Sequence, residues 1–229
     1  MPPPDARAPS AARARDVGQR YATATGEVVA LDAVSIDVVP GHITVAAGPS
    51  GSGKSTLLRL IAGLDTPTSG NIWVGEDELT ALSARGRRQL RRRRIAFVWQ
   101  SPADNLLGYL TVREQLELAA GLRGVAPDDA LEVLELLGLG DRLTEKPVHL
   151  SGGEQQRVAL ACAAVGSTAL LIADEPTAQL DTGSTHAVLD AFDALRARGT
   201  TVLLSSHDPE VLERADHLIK LDHGRLVGA

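Results

Sequence analysis

The stretch Gly48-Pro49-Ser50-Gly51-Ser52-Gly53-Lys54-Ser55 constrains the fold of this chain more than any other. Before it, Thr44-Val45-Ala46-Ala47 has the composition of a short buried strand. After it, Lys54 to Leu64 spaces its apolar residues as a helix does. Strand, glycine loop and helix in that order form a cradle for phosphate. The glycines let backbone N–H groups curl around oxygens, and the helix start adds its positive dipole end. Lys54 is placed to reach the β- and γ-phosphates, and Ser55 to offer a hydroxyl to Mg²⁺. Gly48 through Thr56 are therefore the candidate phosphate-binding residues.

The rest of the chain has the alternation that such a unit requires. Val28 to Val39 and Ile43 to Ala47 are β-rich and separated by the Pro40-Gly41 turn, which predicts a short antiparallel entry into a sheet. Ile95-Ala96-Phe97-Val98-Trp99 is another apolar strand. Thr111 to Leu137 is helical in pattern, with Pro127-Asp128-Asp129 as a turn or helix start inside it. Gln155 to Val165 reads as helix and Ala169 to Ala173 as a buried strand. His186 to Arg198 is helical, Thr201 to Ser205 a buried strand, Glu210 to Ala215 a short helix and His217 to Leu221 a last strand. Strands alternating with helices imply an α/β fold, a mainly parallel sheet with helices on both faces. The helical block interrupts that alternation and predicts an insertion over roughly 101–165.

Composition narrows the partners. The 229 residues include 23 Lys and Arg against 29 Asp and Glu, for a net charge of −6, which argues against nucleic acid as a ligand. Cys162 is the single cysteine and sits in an apolar stretch, so it reads as core packing. The longest uncharged run, Val158 to Ala173, is shorter than the ~20 residues of a spanning helix. Residues 1–16, rich in Pro, Ala and Arg without an apolar stretch, predict a disordered tail before a domain over 17–229. Arg85, Arg87, Arg88 and Arg91 to Arg94 form the densest charge run. A solvated face is its ordinary meaning; contact with a partner or anionic headgroups is the other reading.

A second carboxylate-bearing strand completes the chemistry. Leu170-Leu171-Ile172-Ala173-Asp174 ends in an acid suited to holding Mg²⁺, and adjacent Glu175 is placed to polarise water as a general base. Leu150-Ser151-Gly152-Gly153-Glu154-Gln155-Gln156-Arg157 has capping-box spacing at Ser151 and Glu154, and a helix capped in this way still presents free N–H groups to an anion.

Taken in order, these motifs resemble the ATP-binding-cassette (ABC) ATPases over nearly the whole chain. The resemblance implies a P-loop NTPase (RecA-like) fold, a mainly parallel sheet with an antiparallel β subdomain and an inserted helical subdomain. It implies ATP and Mg²⁺ as cofactors, with Mg²⁺ held by Ser55, Gln100 and Asp174. Gln100 follows its strand as the family's Q-loop glutamine does, and His207 in Ser205-Ser206-His207-Asp208 matches the switch histidine on the γ-phosphate. Lys54, Gln100, Glu175 and His207 are then the catalytic group. Tyr21 matches the aromatic that stacks on adenine, and Leu180-Asp181 the loop that crosses the dimer interface. Ser151, Gly152 and Gly153 imply contact with the γ-phosphate on an opposite subunit, so two copies, or a paired ATPase subunit, would clamp two ATPs.

Further stretches resemble the lipoprotein-releasing, macrolide-export and cell-division branch: Ala62 to Gly70, Leu79 to Ser83, Arg94 to Gln100, Asn105-Leu106-Leu107 and Leu110-Thr111-Val112. Trp99, Gly108, Gln115, Cys162 and Ala178-Gln179 depart from that branch's usual residues, and none removes a catalytic group. The branch implies a separate integral-membrane permease, with this chain cytoplasmic and peripheral on the membrane's inner face. The other readings are a soluble ABC ATPase acting on ribosome or DNA, and a regulator of cell-wall hydrolysis through a permease-like partner.

Overall fold

The computed structural model describes residues 10–24, 26–166 and 168–228. The chain enters as β1 (Ala12–Thr23) and β2 (Gly26–Val38), crosses to β3 (Ile43–Ala47) and runs through the glycine loop into α1 (Lys54–Ile61). It returns as β4 (Ser69–Val74) and β5 (Asp77–Glu78), and α2 (Ala84–Arg94) leads into β6 (Ile95–Val98). Three helices follow, α3 (Val112–Arg123), α4 (Pro127–Leu136) and α5 (Gly152–Ala164), before β7 (Leu170–Asp174). The last elements are α6 (Thr182–Ala197), β8 (Thr201–Ser206), α7 (Pro209–Glu213), β9 (His217–Asp222) and β10 (Arg225–Leu226).

Among the described residues, ten strands form two sheets. One is antiparallel, in the order β2-β1-β4-β5; the other runs β10-β9-β3-β8-β7-β6 and is parallel except for β10. The parallel strands are apolar almost throughout because both of their faces are covered. Ile43 and Val45 of β3, Leu171 and Ala173 of β7, and Val202 and Leu204 of β8 face a core shared with α3 to α6. Ala46, Leu170, Ile172 and Leu203 alternate to the other face, under α1 and the antiparallel sheet. Each of these strands therefore ties two cores together. Cys162 of α5 packs against the first core, and burial pushes its thiol up to about 12, so it is inert at neutral pH.

Two expectations are corrected. Of the tail expected over residues 1–16, Ala12 to Asp16 belong to β1 instead, and residues 1–9 lie outside the described residues. Ala12 and Ala14 are buried and pair with Val38 and Ile36 on one side and Val74 and Ile72 on the other. The arginines between and after them turn away from this core, Arg15 Nη2 donating to both carboxylate oxygens of Asp37 and Arg13 lying over the ring of Trp73. Small Ala side chains suffice for a strand here because its neighbours supply the apolar cover. The antiparallel entry also differs: β2 pairs with β1, while β3 lies in the other sheet between β9 and β8.

β1 is bent at a bulge where Asp16 takes a positive φ of 51°. Gly70, at φ +82°, lets β4 pass this bulge, since a Cβ there would lie 2.4 Å from the Asp16 carbonyl oxygen and 2.5 Å from that of Arg15. Gly70→Ala is expected to cost about 2 kcal/mol or more, from a strained backbone plus displaced neighbours. Gly124→Ala, at a comparable φ of +72° but with open space around it, should lose only about 1 kcal/mol. Urea unfolding of the two variants checks the difference; equal losses would deny the close approach.

Candidate active site

In a parallel sheet the loops leaving the carboxyl ends of neighbouring strands meet at one edge. Here β3 leads to Gly48, β8 to His207, β7 to Glu175 and β6 to Gln100, and the spatial order β3-β8-β7-β6 makes these loops adjacent. They enclose a cavity of about 510 Å³ lined by Pro49 through Thr56, Gln100, Glu175, Ala178 and His207, with Val28 to Ala30 of β2 as a further wall.

The helix at the floor of this cavity is built for an anion. α1 starts at Gly53, has no side-chain cap and no acid in its first turn. Helices α2, α3, α5, α6 and α7 are instead capped by Ser83, Thr111, Ser151, Asp181 and Asp208. An uncapped start leaves first-turn amides and the dipole to a ligand. Gly48 carries φ +152°, and a Cβ there would come 2.2 Å from the Leu221 carbonyl oxygen, so only glycine lets the loop lie against β9. Lys54 is buried and curls over its own loop, Nζ donating to the carbonyls of Gly48 at 2.8 Å and Pro49 at 3.1 Å.

One carboxylate fastens the opposite wall. Asp174 Oδ1 accepts from Ser55 Oγ at 2.9 Å and from Ser205 Oγ at 2.6 Å. Ser205 Oγ in turn accepts the Glu175 backbone N–H at 2.9 Å. Glu175 takes φ +44°, a strained conformation for a residue with a side chain, and this hydrogen bond holds it there. Its carboxylate Oε1 lies 3.5 Å from Lys54 Nζ and 3.2 Å from His207 Nδ1. The cavity thus gathers an amine, a carboxylate, an imidazole and the Gln100 amide around the uncapped helix. Ser55, Asp174 and Gln100 offer hard oxygen donors, the chemistry that suits a small divalent cation shared with phosphates.

Residues 31–178 match the family described as ABC transporter. The chain belongs to the ABC transporter family of ATPases. It is 39% identical to the lipoprotein-releasing system ATP-binding protein LolD of Pseudomonas syringae, covering 94% of this chain and 96% of that one. It is 38% identical to the macrolide export ATP-binding/permease protein MacB of Hyphomonas neptunium, over 93% of this chain but 33% of that longer protein. Among solved structures, the dimeric post-hydrolysis state of the cassette MJ0796 bound to ADP and Pi superposes with a TM-score of 0.84 at 31% identity, covering 95% of this chain and 97% of that one. The branch resemblance and the ATPase reading both agree with these relatives.

Not every expected residue of the cassette lies in the cavity. Tyr21 stands opposite Val28 in the β1–β2 ladder, beside the wall rather than in it. Ser151, Gly152 and Gly153 open α5 and do not line the cavity either. Ser151 and Glu154 form a reciprocal capping box, and Arg142 Nε adds a 3.0 Å bond to Glu154. Gly153 is buried against α6, where a Cβ would meet Ser184 at 2.6 Å. Asp181 caps α6; the Ser184 backbone N–H and hydroxyl hold its carboxyl below the usual range.

Sequence reading missed two positioning residues. Ser205 was readable only as the end of a buried strand, and its role appears once β7 and β8 pair with Asp174 opposite it. Asn105 Oδ1 accepts the Trp99 N–H and its amide donates to the carbonyls of Trp99 and Ser101, pinning the backbone on either side of Gln100.

Ser205→Ala removes the acceptor that holds Glu175 and a donor to Asp174. Its kcat for ATP is expected to fall roughly tenfold or more with ATP affinity little changed, as for loss of one buried hydrogen-bond pair. Ser205→Thr should restore most of the rate; steady-state kinetics with binding titrations decide, and an unchanged kcat would remove Ser205 from this role. Glu154 is held below the usual carboxyl range, first by the Ser151 backbone N–H and then by the Ser151 hydroxyl and Arg142, against the opposing effect of burial. A depressed pKa stabilises the fold above the unfolded carboxyl value and loses that contribution as pH falls through the folded value. The stability advantage over Glu154→Gln should therefore be full at pH 7 and shrink below about pH 4.5. Denaturant midpoints across pH test it; a constant gap would mean the charge contributes nothing.

Proposed function

We propose that this chain is the ATP-hydrolysing subunit of an export or mechanotransmission transporter, energising a separate integral-membrane permease from the inner face of the membrane. The observation that carries the reading is the convergence of Lys54, Ser55, Asp174, Glu175, His207 and Gln100 on the loop Gly48 to Thr56, with Ser151 outside that cavity. Among the described residues no helix is long and apolar enough to cross a membrane.

The α1 amides and Gly51 to Lys54 bind the β- and γ-phosphates, and Lys54 exchanges its own loop carbonyls for phosphate oxygens. Release of Lys54 also frees Glu175 from its 3.5 Å contact, so nucleotide entry unlocks the base. Ser55, Asp174 and Gln100 would hold Mg²⁺, which would supply neutralising charge to the phosphate oxygens. Glu175 accepts a proton from the attacking water, and His207 donates to the γ-phosphate as charge moves to the leaving oxygen. Tyr21, next to the β2 wall, packs on the adenine ring. Ser151 and Gly153 of a second copy present their helix start to the γ-phosphate, and Asp181 lies along the same contact. Two chains then close on two ATPs, and that closure is the motion passed to the permease.

Glu175→Gln should bind ATP as tightly as wild type, turn over at least a hundredfold more slowly, as expected for loss of a general base, and accumulate as an ATP-bound dimer on size-exclusion chromatography. Ser151→Ala should leave ATP binding by the monomer intact and lower turnover and dimer formation together. Full turnover by Glu175→Gln would exclude the base role, and loss of monomer binding in Ser151→Ala would exclude the arrangement across two copies.

A further inference from the structure

Helix α2 carries seven arginines in eleven residues. On its inner side Leu90 is buried, while Arg87 and Arg91 turn onto the backbone carbonyls of Leu82 and Gly63. Burial, then the proximity of Arg88 and Arg87, lowers the pKa of Arg91, a sign of crowded positive charge. On the outer side Arg85, Arg88 and Arg92 are exposed. At 100° per residue they fall within an arc of about 60°. Arg93 flanks them. Arg94 has Asp77 at 3.7 Å, but Arg85, Arg88 and Arg93 form no ion pair or side-chain hydrogen bond among the described residues.

The arginine stripe is continuous with an apolar edge. Arg92 Nε donates to the Leu122 carbonyl at the end of α3, where Leu118 and Leu122, one turn apart, are 43% and 55% exposed. The cavity beside α2 is lined by Asp77, Leu82, Gln89, Leu90, Arg93 and Arg94, and Arg85, Arg88 and Arg92 lie outside it. Arginine clusters also bind acidic or phosphorylated peptides, and it is the adjoining exposed leucines that favour a membrane here. A row of exposed, forked guanidinia beside exposed leucines fits a deformable, phosphate-bearing plane with an apolar interior.

We infer that the outer face of α2, with Leu118 and Leu122 of α3, lies directly on the headgroup layer of an anionic membrane. Arg85, Arg88, Arg92 and Arg93 meet lipid phosphates, and the two leucines reach the acyl boundary. In a chain of net charge −6 this local excess supplies an attraction that the molecule as a whole lacks. The inference uses none of the nucleotide-site residues, and it adds a lipid contact to the one made through the permease.

The test is co-sedimentation of the full chain with vesicles at about 50 mM salt, where screening is weak. The chain should sediment with phosphatidylcholine vesicles containing about a third phosphatidylglycerol, remain in solution with phosphatidylcholine alone, and be released near 0.5 M salt. The triple variant Arg85→Gln, Arg88→Gln, Arg93→Gln should partition roughly a hundredfold less. Leu118→Ala with Leu122→Ala should weaken binding to a smaller extent. Absent sedimentation, or binding equal in the triple variant, overturns the inference. Retention on immobilised polyglutamate without vesicle binding also overturns it, and assigns the helix to an acidic polypeptide. The thermal shift given by ATP, read on the same proteins, should be equal in wild type and triple variant. Its loss in wild type would undo the nucleotide reading and leave the vesicle result standing.

Discussion

The hydrogen bonds converging on Asp174 hold the site in one piece. Its Oδ1 takes Ser55 from α1 and Ser205 from β8, so the carboxylate links the nucleotide-loop helix to two neighbouring strands. Through Ser205 the same link reaches the backbone of Glu175 and sets the direction of its carboxylate. These bonds lie at the edge of strands whose two faces are both packed, and a position fixed on two sides cannot drift with one helix. A strained φ at Glu175 is tolerable only on such a rigid frame.

The segment Leu150 to Arg157 shows how one local device meets two demands. The capping box at Ser151 and Glu154 starts α5, and the burial of Gly153 against Ser184 brings that start beside the start of α6, which Asp181 caps. Two helix N-termini are thereby locked side by side, away from the chain's own glycine loop. The arrangement explains why a second glycine is needed: any side chain there would push α5 off α6.

Legibility in the sequence followed the range of the interaction. The glycine loop, the buried strands β3, β7 and β8, and the acids at the end of β7 were readable because each is written in consecutive residues. Ser205 was not, because its role depends on which strand lies beside it. β1 escaped notice because alternating Ala and Arg carries little intrinsic strand signal until β2 and β4 cover the alanines. The pairing of β2 with β1 rather than β3 is likewise a long-range choice. Helix α2 showed only as a charge run, since Leu90 is its sole buried residue and no apolar period marks it.

Segments far apart in the chain also close the glycine loop from behind. The Leu221 carbonyl fills the space that Gly48 leaves, the Gly224 N–H donates to the Ser52 carbonyl, and the Asp32 N–H donates to that of Gly224. The loop is thus wedged between β2 and the β9–β10 turn. During synthesis its phosphate cradle stays unbraced until the chain has emerged past Gly224, some 170 residues after the lysine was made.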